Sequence, residues 1–171
     1  ATTGKLISRT TSAPILTYRE DGYEPIPTVR LTNDEYERAM RRFVAVCTDI
    51  VPIDRRTRSI YLTRRTAKPM TGWWYIGGGM MTNQTHLDAA VSNWVRETKL
   101  PIYPKRLEFR ACADYFWKDR EQPPQDIGCH TFGITFSLEI TSLEAHRIEL
   151  DPKEYDPKAG LTKFNRTQLV E

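Results

Sequence analysis

Cysteine, histidine, long apolar runs and charge of a single sign are all scarce in this 171-residue chain. The three cysteines, Cys47, Cys112 and Cys129, are far apart and odd in number. That excludes a disulfide framework and the close pairs of a structural zinc site, so all three are expected to be reduced and mostly buried. No apolar run approaches the roughly 20 residues that cross a bilayer, so no membrane partner is expected. The opening segment, ATTGKLISRTTSAPILTY, lacks the continuous apolar stretch of a secretory signal, and a cytoplasmic location is expected. The formal net charge of +3 is too mild to point to nucleic acid as a partner. With 39% hydrophobic and 27% charged residues, the composition is that of a soluble globular domain long enough to build a core.

What is present falls into two parts. Residues 1–31, rich in Pro, Thr and Ser, read as an N-terminal extension of irregular or edge-strand structure. Packing of this extension on the core or on a partner subunit leaves a homodimer open. Residues 32–171 read as one domain. It starts with a short helix announced by a capping box, Thr32 with Glu35, and closed by Arg41 and Arg42. FVAVCTDIVPI (residues 43–53) is almost unbroken in hydrophobicity and reads as a central strand, with Asp49 as its one charged interruption. IYLTRR (60–65) returns beside it. Arg55, Arg56 and Arg58 between them suit a solvated turn, whereas Arg64 and Arg65 stand at a strand end just before a glycine segment.

That segment is GWWYIGGGMMTNQTHLDAAVSNWVRETKL (72–100). A short aromatic strand meets Gly77, Gly78 and Gly79. A helix follows whose apolar stripe is Leu87, Ala90, Val91, Trp94 and Val95. Backbone N–H groups at such a turn suit phosphate oxygens. Two further strands follow, the second being CHTFGITFSLEI (129–140), with His130, Phe132, Ile134, Phe136, Leu138 and Ile140 on one face. A short closing helix is expected at the C-terminus, with Phe164 and Leu169 facing inward. The order of elements predicts an α+β (α/β) fold, a mixed sheet with a central helix.

The glycine-to-helix segment resembles a Nudix box with most of its acids replaced. With Gly78 in the box glycine place, the first glutamate position falls on Gln84. The Arg-Glu pair falls on Ser92 and Asn93, the Glu-Glu pair on Arg96 and Glu97, and the closing glycine and aliphatic positions on Lys99 and Leu100. The flank LTRRTAKPMTGWWYIGGG resembles the approach to the box in Nudix proteins. Within the superfamily the likeness is greatest to the GDP-mannose mannosyl hydrolase group, which itself has a reduced box.

The resemblance implies a Nudix-type α/β/α sandwich and a hydrolase of a nucleoside diphosphate-linked compound, a GDP-mannose-like nucleotide sugar in the first instance. It also implies a divalent cofactor, Mg2+ or Mn2+. By position, Glu97 is the metal ligand, with Asn93 one turn earlier as a further candidate. His130 is the catalytic base, Asp49 and Arg65 assist departure of the diphosphate, and Arg65, Gly78 and Gly79 contact substrate. The chain departs from that group at Gly79, where the family has an arginine, and at Cys129, a poor magnesium ligand. Each residue also has a plainer reading. Glu97 suits a solvated helix end, His130 a core-edge position, and Asp49 with Arg65 a structural salt bridge, since a buried carboxylate needs a partner. The alternative to a hydrolase is a catalytically inactive Nudix-fold module that binds a nucleotide or a protein partner.

Overall fold

In the computed structural model, residues 4–6 and 15–169 are described. Most of the expected extension that precedes residue 15 lies outside them. Strands β1 (Gly4–Leu6) and β2 (Tyr18–Glu20) form an antiparallel pair. The chain then runs back to the domain through Asn83. The Asn83 amide accepts from the Tyr23 hydroxyl (2.8 Å) and the Ile26 N–H (2.9 Å), and donates to the Ile26 carbonyl (2.7 Å). Helix α1 (Asn33–Met40) starts at the expected box: the Thr32 N–H donates to Glu35 Oε2 at 2.8 Å, and the Glu35 N–H donates to Thr32 Oγ1.

The sheet is mixed and has seven strands: β3 (Ala45–Asp54), β4 (Ser59–Arg65), β5 (Gly72–Trp74), β6 (Ile76–Gly79), β7 (Leu107–Trp117), β8 (Cys129–Glu139) and β9 (Leu161–Phe164). The main path runs β5-β4-β3-β8-β7, with β6 paired to β3 and β9 to β4. Strand β3 is its centre. It is parallel to β8, with Ala45 opposite Thr131 and Ile53 opposite Glu139, and antiparallel to the glycine strand, with Asp49 opposite Gly77. Its near-continuous hydrophobicity follows from burial on both faces.

Helix α2 (His86–Thr98) lies against the Thr48 and Ile50 face of β3. It begins at a second capping box, Thr85 with Asp88, and ends at Lys99 in the left-handed conformation. Trp94, Ile50, Ile76, Phe136 and Leu138 form the centre of the core. The helix sits turned from the expected stripe. Its buried residues are His86, Ala89, Ala90, Asn93, Trp94, Glu97 and Thr98, while Val95 is exposed. The turn brings Asn93 within reach of Thr48 and the glycine strand, so hydrogen bonding on one edge of the helix outweighs the burial of one valine.

Three further expectations are corrected. The C-terminal segment forms strand β9 and a 3-10 turn at Thr167–Leu169 rather than a closing helix, because β4 has free edge groups that β9 satisfies from Ile60 to Thr63. Leu169 is consequently exposed, while Phe164 meets Trp73 edge to face at 4.9 Å. Cys112 is also exposed, because it points outward from β7. Among the described residues no helix is long and apolar enough to cross a membrane. The helix α3 (Ser142–His146) and residues 148–150 close the core beneath β9.

Phe136 is fully buried between His86 and Phe109. Phe136→Ala is expected to lower the unfolding free energy by about 3–5 kcal/mol, read as a shift in the urea midpoint at unchanged slope.

Candidate active site

The alternation of β3 divides the site. Val46, Thr48 and Ile50 face α2, while Ala45, Cys47 and Asp49 face a cavity of about 260 Å³ on the other side of the sheet. Arg65 enters the cavity from the end of β4, Gly77, Gly78 and Gly79 form its edge, and Cys129 and Thr131 enter from β8. Trp74, Tyr115 and Trp117 make one wall. Tyr115 and Trp117 stack at 5.3 Å, and Trp74 stands edge-on to both at 5.8 Å. Glycine is required at the narrowest point: a Cβ on Gly77 would run into the Thr48 carbonyl and the Asp49 carboxylate.

Asp49 is 7% exposed and its pKa is pushed up to about 6. Burial is the main cause, and the positive charge of Arg65 works against it. The salt bridge foreseen between these two residues does not close. Arg65 pairs instead with Glu154 at 3.7 Å, and its guanidinium lies 5.6 Å from the centre of the Tyr155 ring. Tyr155 has no counterpart in the sequence reading. It bridges to Arg65 and is buried, and its hydroxyl faces the Glu97 carboxylate without closing a hydrogen bond. Burial and the nearby negative charge of Glu97 both raise its pKa. Burial pushes the Cys47 thiol to about 12, with the Asp49 charge adding to the effect, so this cysteine is not a nucleophile at neutral pH.

Asp49, Arg65, Gly78 and Gly79 are therefore brought together around one cavity. Glu97 and Asn93 are held on the far side of the glycine strand. Glu97, 3% exposed, accepts from Arg96 Nε at 2.8 Å and Nη2 at 2.7 Å, and Arg96 Nη2 also donates to the Gly77 carbonyl at 3.4 Å. The Asn93 amide nitrogen donates to Thr48 Oγ1 (3.0 Å) and to the carbonyls of Gly78 (2.8 Å) and Gly79 (3.3 Å). His130 is not brought to the cavity. Its neighbours Cys129 and Thr131 face the cavity, so by alternation His130 points away. Its Nε2 lies 2.9 Å from Asp114 Oδ1 and its ring stacks on Phe116 at 4.3 Å.

The box residues do not fit the divalent ion that the resemblance implies at Glu97. Magnesium needs free oxygen donors, at least one of them a carboxylate. The one box carboxylate, Glu97, is buried under a guanidinium, and the Asn93 amide turns its donor side to the glycine strand. Among the described residues, no group of three or more His, Cys, Asp or Glu converges on a common point.

The sequence offers Arg120 only as one of several loop charges near the substrate, with no place in the site. Arg120 is 1% exposed in the loop between β7 and β8, lines the cavity and lies 5.8 Å from the centre of the Tyr36 ring. It donates to the carbonyls of Gln122 (3.1 Å) and Pro123 (3.4 Å). Lys68 ties this loop to the one before the glycine segment: its Nζ meets Asp119 at 3.1 Å and its backbone N–H donates to Glu121 at 3.0 Å. The signal in the sequence was the run of charges at 118–121. What could not be read was that Arg120 turns inward.

No protein-family model and no curated protein matches the sequence. Solved structures do match. A MutT/nudix family protein from Enterococcus faecalis aligns with a TM-score of 0.50 at 14% identity, over 80% of this chain and 57% of that one. An Ap4A hydrolase from C. elegans aligns with a TM-score of 0.46 at 11% identity, over 75% and 85% of the two chains. The E. coli dihydroneopterin triphosphate pyrophosphohydrolase aligns with a TM-score of 0.46 at 14% identity, over 70% and 77%. At these identities the likeness speaks for fold alone, and the chain has a Nudix-type α+β fold.

The raised pKa of Asp49 makes a stability prediction. The folded protein holds this proton more tightly than the unfolded chain, so the associated stability is fully present below the ordinary value of 3.8 and is lost as pH rises through about 6. Asp49→Asn is expected to melt higher than the parent at pH 7.5, by a margin of about 1–3 kcal/mol that closes near pH 4. Thermal denaturation at a series of pH values checks it; a margin independent of pH would refute the assignment.

Proposed function

We propose that this chain hydrolyses a nucleoside diphosphate-linked compound, a nucleotide sugar in the first instance, with Asp49 as the general base. The observation that carries the reading is a buried carboxylate poised near neutrality in a cavity that also holds Arg65, Lys68 and Arg120, glycine backbone and an aromatic wall. A base with a pKa of about 6 is mostly ionised at pH 7 yet still basic enough to take a proton from water. Arg65, Lys68 and the N–H groups near Gly78 and Gly79 suit a diphosphate, and Arg65 can stabilise the charge that develops on it as it leaves. The wall of Trp74, Tyr115 and Trp117 offers a flat apolar surface to a base or sugar ring. About 260 Å³ lies just under the usual range of ligand sites, so it suits a diphosphate and one ring rather than a whole dinucleotide.

The nucleotide-sugar choice comes from the resemblance to the GDP-mannose group. The magnesium dependence and the roles that the resemblance implies for Glu97, Asn93 and His130 are not part of this reading, because those side chains are engaged elsewhere. The second reading, a non-catalytic module that binds the same ligand class, is favoured by the pairing of Glu97 with Arg96.

A panel of nucleoside diphosphate sugars, assayed for free sugar and for sugar phosphate, tests both readings. Turnover is expected with a kcat/KM that rises with pH through about 6. Asp49→Asn is expected to lower kcat by about 100-fold or more, while His130→Gln stays close to the parent. The reverse pattern would return the base to His130. Ligand-induced thermal stabilisation without turnover would establish the binding module instead.

A further inference from the structure

In the box register, the positions that call for an acid carry side chains bonded within the protein. Gln84 accepts from the Met81 N–H at 2.9 Å and donates to Ser92 Oγ at 3.3 Å. Asn93 donates to the Gly78 and Gly79 carbonyls. Arg96 joins the Glu97 carboxylate to the Gly77 carbonyl. The carbonyls of three consecutive glycines are thus held to α2 by two side-chain donors of that helix.

An anionic oxygen and a neutral carbonyl oxygen converging on one point make an environment for a cation. Here that point is capped by the guanidinium of Arg96, whose side chain is 57% exposed while the Glu97 carboxylate beneath it is 3% exposed. A divalent ion would have to expel the guanidinium, and Glu97 would then lose the one ion pair it makes among the described residues. The absence of a side chain at Gly78 leaves room for Arg96 Nη2, which a Cβ there would displace.

We propose that Arg96 is a built-in cation that takes the place of a divalent ion, so that this chain binds its diphosphate ligand without metal. The charge of the ligand is then balanced by the protein's own cations around the cavity, Arg65, Lys68 and Arg120. The choice of ligand rests on the reading given under Proposed function. The occupation of the Glu97–Gly77 site by Arg96 does not.

The test uses the full chain and has two arms. In the first, Mn2+ is titrated and free Mn2+ is followed by electron paramagnetic resonance. The parent is expected to show no saturable binding up to about 1 mM, the weak end of protein sites for hard cations. Saturable binding that disappears in Glu97→Gln would overturn the proposal. Arg96→Glu is expected to gain Mn2+ affinity by about tenfold or more; a folded Arg96→Glu protein that gains none also overturns it. Circular dichroism checks the fold. Should Arg96→Glu not fold, Arg96→Gln, which removes the charge and the guanidinium contacts without adding an acid, is expected to gain affinity in the same direction, and no gain overturns the proposal.

In the second arm, binding of guanosine and uridine diphosphate is measured by calorimetry in EDTA and in excess Mg2+. Equal affinity in both supports the proposal, and binding that requires Mg2+ overturns it. If neither nucleotide binds under either condition, the ligand reading falls, and the Mn2+ arm still decides the role of Arg96.

Discussion

The close passage of Gly77 and Gly78 between β3 and α2 is the constraint on which the rest of the site depends. Gly77 runs against the Thr48 carbonyl and the Asp49 carboxylate, and Gly78 runs against Arg96 and Asn93. A side chain at Gly77 would push β6 off β3, whereas one at Gly78 would displace the end of the Arg96 side chain. Because neither is present, one strand can bound the cavity on one side and present its carbonyls to the helix on the other. The turned seat of α2 follows from this. Asn93 and Glu97 are buried because carbonyl oxygens face them, and a helix placed on its apolar stripe alone would leave those oxygens unbonded.

The second organising feature is the balance of charge around Arg65 and Arg96. Arg65 acts on both Asp49 and Glu154, and Glu97 acts on Glu154 and on Tyr155, whose hydroxyl lies beside it. Two cations serve three acids. Arg96 takes Glu97, and Arg65 takes Glu154 while reaching Asp49 only through space. The acid left without a direct partner is the one in the cavity, and burial therefore raises its pKa. Glu154 is raised as well, by burial first and by Glu97 second. In this network the allocation of arginines, together with burial, decides which carboxylate is left without a direct partner.

Much of the fold was legible in the sequence because its signals are local. The Thr32–Glu35 box, the unbroken strand around Asp49 and the glycine turn with its helix each follow from spacing and composition. The alternation of β8 was read correctly from Phe132 to Ile140, and the same alternation turns His130 away from the cavity. What could not be read depends on contacts distant in sequence. β9 forms because β4 has a free edge, Arg65 turns to Glu154 because residues 154–156 cross beside it, and Arg120 is buried by a loop with no period of its own. The box register located Glu97 but not its state, because the register says nothing of whether the preceding Arg96 folds back onto it.

The position of Asp49 bears on function through its cost. Raising a carboxylate from 3.8 to about 6 corresponds to about 3 kcal/mol at neutral pH, a substantial part of the stability of a single domain. An asparagine or threonine would fill the same place in β3 without that penalty, as Thr48 does one residue earlier on the opposite face. The penalty falls where the strand meets a cavity that holds Arg65, Lys68 and Arg120, and where only glycine fits across the strand. A purely structural carboxylate would be expected to close its salt bridge with the nearest arginine. Asp49 does not, and Arg65 is held back by Glu154 and by the Tyr155 ring. That separation keeps the carboxylate basic and a cation nearby, the arrangement that the proposed general-base chemistry on an anionic ligand calls for.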